Sequence, residues 1–399
     1  MFHSDFTKSA TKKTKVSTKS TTVSHNTYRM PGQPTKLPME ATNPDCKVAP
    51  ANHFTRLVMF FVQKYTKNFA SRQKKRFYTE AVRNNIPKFE AKLRNRMKQK
   101  IKSLQDLKDL AVSNGKKKLV LCAAGDEHSI DAVYDAYRAG VIDPILVGQK
   151  EEIEKYAKNC KDFDKFTVYY EIDEEHVIRR SVELVVNGQA DILMKGNVTT
   201  AALLRGVLNK EYGLKEKRFL SHFALFEIPN YHKLLGITDV ALNILPPLKH
   251  KVQIVKNAIN FVRSIGIEKP KIAALSAIEM VNEDMPSTID AALLSIMQRR
   301  GQIKNCLIDG PLAFDNAISK LSKEQKNIPG DVAGDADILL VPNIESGNIL
   351  YKAFVFFADA KVAGVVVGAP FPIVLTSRAD SEETKLNSIY MAAFSVKKS

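Results

Sequence analysis

The chain has 399 residues, enough for two domains with cores of their own. A net charge of +17 would suit a nucleic-acid binder, but residues 1–96 hold 20 Lys/Arg and 5 Asp/Glu, and the remainder holds 40 and 38. The basic character therefore belongs to an N-terminal arm, and no nucleic acid is expected for the nearly neutral body.

Within that arm, residues 1–50 are rich in Lys, Ser, Thr and Pro and cannot bury enough apolar surface to offset ordering entropy, so they read as disordered. Residues 54–69 place Phe54, Leu57, Val58, Phe61, Val62, Tyr65 and Phe69 at helical spacing with Arg56, Lys64 and Lys67 between them, a basic amphipathic helix. It suits packing on the body, an upstream extension, or a membrane or partner surface. Organised pattern begins just after Met97, a candidate internal start. Cys46, Cys122, Cys160 and Cys306 are far apart, with no C-x-x-C pair, so neither a disulfide framework nor a zinc site is expected and a reducing cytoplasm fits. No apolar run reaches the length of a membrane span.

From about residue 100 the chain alternates. "KKLVLCAAGD" reads as a strand, "EHSIDAVYDAYRAG" as a helix stopped at Gly140, "DPILVG" as a strand, "EEHVIRRSVELVVNGQ" as a helix and "ADILMKG" as a strand. "KIAALSAIE", "NCLIDG", "ADILLVPN" and "VAGVVVGA" are further β-rich runs separated by helical stretches. Strands apolar throughout and alternating with helices predict parallel sheets covered on both faces, and two such sheets fit the length. Ligands then bind beyond the carboxyl ends of the strands.

The residues after those strands carry hydroxyls, Gly-Asn and cations. Following "ADILMKG", Thr199 or Thr200 can cap a helix whose N-terminus seats a phosphate, and Arg205 can lean back toward it. Following "NCLIDG", Asp309 and Asp315 can orient a ligand or cap a helix. Following "ADILLVPN", Gly347 allows close backbone approach beside Asn348, with Lys352 one turn on. At the last strand, Ser377 and Arg378 precede a helix start whose acids Asp380, Glu382 and Glu383 suit the dipole, whereas an arginine there needs an anion. No G-x-x-x-x-G-K-[ST], strand-linked G-x-G-x-x-G, G-x-S-x-G or H-E-x-x-H occurs, so no metal or tightly bound cofactor is expected.

"DILMKGNVTTAALLRGVLNKEYGL", "LSHFALFEIP", "TDVALNI", "VNEDMPSTIDAALLS", "LIDGPLAFDNAIS", "VAGDADILLVPNIESGNILYKA" and "VLTSRADSEETKLNSI" follow one another over roughly residues 98–395. In these stretches the chain resembles the phosphate acetyl/butyryltransferase family, on its butyryl side. The resemblance implies an α/β fold of two parallel-sheet αβα domains flanking a cleft, isocitrate/isopropylmalate dehydrogenase-like. The first domain would comprise 97–243 and 369–399 and the inserted second 244–368, with 1–96 outside the match. It also implies a homodimer or larger homo-oligomer that converts acyl-CoA and inorganic phosphate to acyl phosphate and CoA.

The resemblance further implies that Ser377 and Arg378 hold the phosphate and acyl phosphate, with Arg205 as a second arginine displaced by one residue. Where the acetyltransferase relatives carry a general-base aspartate, this chain has Thr384, which leaves Asp380 or Glu383 as base, or base-free phosphate attack. Asp380 has a rival role as N-cap, with Glu383 completing a capping box. Two other classes stay open: an oxidoreductase on the same fold, and a non-enzymatic protein acting through its basic arm.

Overall fold

In a computed structural model the described residues are 101–214, 218–376 and 380–396. The N-terminal arm, the expected helix over 54–69, Met97, Ser377 and Arg378 lie outside them. The described residues fall within one compact unit, Asn84–Ser399.

The strands in chain order are β1 (Lys117–Cys122), β2 (Ile142–Gly148), β3 (Thr167–Tyr170), β4 (Ile192–Lys195), β5 (Ser221–Glu227), β6 (Leu235–Thr238), β7 (Lys271–Leu275), β8 (Leu307–Leu312), β9 (Ile338–Leu340), β10 (Lys361–Val367) and β11 (Ile373–Val374). The helices are α1 (Leu104–Ser113), α2 (Glu127–Arg138), α3 (Lys150–Ala157), α4 (Glu174–Val186), α5 (Thr200–Val207), α6 (Leu248–Ser264), α7 (Pro286–Arg299), α8 (Phe314–Ile318), α9 (Lys320–Gln325), α10 (Ile344–Phe357) and α11 (Glu382–Ser395). Every β-rich run singled out above contains a strand. The helix read from Glu127 ends at Arg138, and Gly140 follows at φ +74°, a conformation that costs glycine little.

The expectation of two sheets is corrected. The eleven strands form one sheet, in the order β3-β2-β1-β4-β11-β10-β5-β6-β9-β7-β8. β1–β4 and β11 pair in parallel, as do β6, β7, β8 and β9. Antiparallel pairings of β10 with β11, β10 with β5, and β5 with β6 weld the two blocks together. An apolar strand pattern reports burial on both faces but not strand direction.

Alternation of side chains sorts the core by face. On one face Leu119, Leu121, Met194, Phe223, Val365, Ile272 and Leu340 belong to a single core completed by α1, α2, α6, α7 and α11. On the other face the apolar side chains divide. Val120, Leu193 and Ile373 pack with Val177 and Val182 of α4 and Leu203 of α5. Ala224, Ile237, Ala273 and Leu339 pack with Ala317 of α8 and Phe354 of α10. Each fully buried Leu or Ile contributes roughly 1.5–3 kcal/mol.

Candidate active site

On this divided face, the pairing register brings the ends of both parallel blocks to one level. Leu193 lies beside Ile373, Ile373 beside Val366, and Val366 beside His222 at the start of β5. β4 ends two residues beyond Leu193, and Thr238 at the end of β6 donates its hydroxyl to the His222 carbonyl at 2.7 Å. A cavity of about 470 Å³ opens here, lined by Lys195, Val198, Thr199, Thr200, His222, Val240, Ala241, Asn348, Tyr351, Lys352, Leu375, Thr376 and Asp380. That volume suits a small organic ligand or one end of a larger one.

From the β4 side, Thr199 is the N-cap of α5, its hydroxyl accepting from the Ala202 N–H at 3.1 Å, and Thr200 is the first helical residue. Lys195 is buried and donates to the carbonyls of Gly196 and Val198, both at 3.1 Å. A buried ammonium needs such acceptors to offset lost hydration. Its position makes the wall under the α5 N-terminus positive.

From the β9 side, Asn343 caps α10 by accepting from Ser346 N–H at 3.0 Å. The spacing of Asn348, Tyr351 and Lys352 sets them on one helical face, toward the cavity. Tyr351 packs edge-on against Phe226, with ring centroids 5.3 Å apart. Burial, and then the Asp380 charge, raise its phenol pKa beyond the ordinary value.

The floor is His222, 4% exposed. Its Nδ1 is buried without a hydrogen-bond partner among the described residues. Gly364 of β10 makes room for the ring: a Cβ there would stand 3.2 Å from Nε2 and 3.3 Å from Cε1. Burial lowers the imidazole pKa, while the charges of Asp239 and Asp380 act to raise it, and burial prevails. Asp239 is held by the N–H groups of Ala241 and Leu242, each at 3.0 Å, and by the Asn243 amide.

The expected residues divide between cavity and elsewhere. Thr199, Thr200, Asn348, Lys352 and Asp380 meet in the lining. Arg205 is exposed outside it, its Nε donating to the Ala201 carbonyl one turn back at 3.3 Å. Gly347 is buried, and the close approach it permits is to the chain's own turn, since a Cβ would lie 2.8 Å from the Asp239 carbonyl oxygen. Asp315 bonds to the Ser322 hydroxyl, and Asp309 lines a separate cavity beside Arg299 and Lys326. Glu383 pairs with Lys361 at 2.8 Å, with both side chains more than half exposed. The capping expectation is corrected too: Ser381, not Asp380, caps α11 by accepting from Thr384 N–H at 3.1 Å. Asp380 is tied instead through its backbone, its carbonyl accepting from the buried Lys385 ammonium at 2.7 Å.

Residues 171–393 match the family described as phosphate acetyl/butaryl transferase. The chain belongs to this family. It is 48% identical over 294 residues to a phosphate butyryltransferase of Clostridium acetobutylicum, covering 73% of this chain and 98% of that protein. It is 43% identical over 290 residues to a phosphate acetyltransferase of Thermotoga maritima, again covering 73% and 98%. The crystal structure of a branched-chain phosphotransacylase from Enterococcus faecalis V583 superposes with a TM-score of 0.64 at 35% identity, over 70% of this chain and 99% of that one.

For a member of the phosphate acetyl/butyryltransferase family, the sequence reading overlooked Lys195, His222, Asp239 and Tyr351. A signal for two of them was present. Lys195 ends the apolar run "ILMK", and His222 interrupts "LSHFALF"; ionisable residues in strands buried on both faces need a reason to be there. Among the described residues no group of three or more His, Cys, Asp or Glu side chains is placed to hold a metal ion.

Proposed function

We propose that the chain is a phosphate acyltransferase that moves an acyl group, butyryl in the first place, reversibly between CoA and inorganic phosphate. Its 48% identity to a phosphate butyryltransferase across 98% of that protein carries this reading. A phosphate oxygen attacks the thioester carbonyl, the tetrahedral intermediate collapses, and the C–S bond breaks to release the thiolate. Holding phosphate in line with the carbonyl supplies much of the rate. The first-turn N–H groups of α5 and its dipole, with Thr200 and Lys352, form the anion seat. Ser377 and Arg378 keep the roles expected of them: the arginine shares that anion, and the serine hydroxyl donates to the developing oxyanion.

A direct transfer fits the thiols among the described residues. Cys122, Cys160 and Cys306 are buried, and burial pushes their pKa values up to about 12, about 11 and about 11. A thiol held protonated is a poor acyl acceptor. The 43% identity to a phosphate acetyltransferase supports acetyl as the second substrate. Neighbouring chain lengths should both be accepted, because one methylene contributes only about 1–3 kcal/mol of discrimination.

Two α/β lobes, 97–243 with 369–399 and 244–368, are read as flanking the cavity; the apolar side chains on that face also divide, but with Ala224 and Ile237 of the first lobe packed beside the second and Val366 of the second beside the first. A homodimer or larger homo-oligomer is read from the apolar outer side of α10, where Ile349, Phe356 and Phe357 are 68%, 71% and 91% exposed.

Free-CoA release from butyryl-CoA and acetyl-CoA, with and without phosphate, tests the activity. Release is expected only with phosphate, faster with butyryl-CoA, and lost by about 10²-fold or more in Arg378→Ala, as for removal of a group that holds transition-state charge. Phosphate-independent release, or full turnover in that variant, refutes the reading.

A further inference from the structure

We propose that His222 is the proton acceptor for the CoA thiol in this site, with Asp239 and Asp380 stabilising the imidazolium that forms. The inference rests on the phosphate acyltransferase reading and goes beyond it by assigning the base. Three observations carry it. His222 lines the cavity where the ends of the two strand blocks meet. It is 4% exposed, yet Nδ1 lacks any hydrogen-bond partner among the described residues, an expense a merely structural histidine avoids. The space it occupies exists because Gly364 carries no side chain.

The charged and titratable groups around it are arranged for one proton. Asp239 faces it from the turn after β6 and Asp380 from the segment before α11, and both charges act on the ring. Lys195 at the end of β4 and Tyr351 and Lys352 of α10 complete the lining. Burial holds the resting imidazole neutral, the form that accepts a proton. When acyl phosphate and CoA react, the thiol proton moves to the imidazole ring. The sulfur electron pair then forms the C–S bond, and the C–O bond to phosphate breaks with its pair leaving on phosphate. In the reverse direction the C–O bond forms, the C–S bond breaks, and the imidazolium returns its proton to the departing thiolate. Asp239 is fixed by three donors and is therefore pre-organised to stabilise the cation without rearranging.

The test is thioester formation from butyryl phosphate and CoA across pH 5 to 9, for wild type, His222→Gln and His222→Ala. Wild-type kcat/KM for CoA is expected to fall with acid as the imidazole protonates, and burial displaces that fall below the ordinary imidazole value. His222→Gln is expected to lose about 10²-fold or more in kcat, to keep its KM for butyryl phosphate within about threefold, and to lose the acid-side fall. Added imidazole is expected to restore part of the rate in His222→Ala, which a structural role would not allow. A glutamine variant that keeps wild-type kcat or the same acid-side fall overturns the assignment. If the variants do not fold, a wild-type rate without a solvent deuterium isotope effect overturns it equally, since no proton would then move in the rate-limiting step. A wild-type protein with no phosphate-dependent CoA release overturns the activity and the role together, whereas an active wild type beside an unaffected variant overturns the role alone.

Discussion

Asp380 and Glu383 stand three residues apart and looked interchangeable as candidate bases. The fold separates them. Glu383, in the first turn of α11, points to solvent and to Lys361 of β10, whereas Asp380 reaches the cavity and the field around His222. What decides between them is where the helix begins. "DSEE" offers two caps, Asp380 and Ser381, and the chain uses Ser381, leaving the Asp380 side chain out of the cap. Lys385 anchors the Asp380 carbonyl from inside the core, a contact no local pattern encodes. Glu383→Gln should therefore turn over within about twofold of wild type and cost little stability, since exposed pairs contribute about 0–1 kcal/mol. Asp380→Asn should lower kcat about tenfold or more, as expected of a charge that supports proton transfer. Parallel steady-state assays of the two variants check this, and equal losses would contradict the separation.

At the scale of elements, the second block of strands is stitched at the ends away from the cavity. Asp335, just before β9, accepts from Lys271 of β7 at 2.5 Å, from Lys233 before β6 at 2.9 Å, and from His232 at 2.7 Å. Asp337 adds Lys233 at 2.7 Å and the Lys271 N–H at 2.7 Å. These bonds align the starts of three strands and so place their far ends, including Asp239 and the α10 cap. Burial pushes the Asp335 carboxyl up, but the hydrogen bonds from Lys271, Lys233 and His232 outweigh it and hold the group well below the ordinary range. A carboxylate depressed in the folded state adds stability above its unfolded value near 4 and loses it as pH falls below that. Asp335→Asn should cost about 2 kcal/mol at pH 7, the scale of charged hydrogen bonds, and the difference from wild type should shrink below about pH 4. Urea unfolding at several pH values measures it; a pH-independent difference would contradict the ionic origin. Strands β7, β8 and β9 were legible here because each is a short apolar run. The network was not, because its members come from three separate stretches.

For the whole molecule, the outer side of α10 leaves Ile349, Phe356 and Phe357 exposed, and Leu293 and Ile296 of α7, on the other face of the sheet, are exposed at 42% and 49%. A free-standing chain gains nothing from leaving such side chains in water. Solution scattering should therefore give a particle mass of at least twice the 44.6 kDa chain. Phe357→Asp should bring it toward one chain, because a charge at a buried contact goes unpaired. The same measurement should show the particle contract when butyryl-CoA and phosphate are added, if two lobes close on the cavity. A monomeric wild type, or dimensions unchanged by ligand, would remove the respective reading.

The sequence by itself determined most of the strands, though not β3, β5 or β6, and the alternation with helices, because burial of short apolar runs and the 3.6-residue repeat are local properties. It also marked Thr199, Thr200, Asn348, Lys352 and Asp380, because polar residues directly after a buried strand can only serve its carboxyl end. Seven motifs in one order carried the family. The tertiary structure alone decided that one mixed sheet replaces two parallel ones, since strand direction depends on partners far away along the chain, as Val366 beside His222 shows. It alone turned Arg205, Gly347 and Glu383 away from the cavity, and it alone placed an imidazole with a bare nitrogen on the floor. Those outcomes depend on which side chains meet across the sheet, and that is set by packing rather than by spacing along the chain.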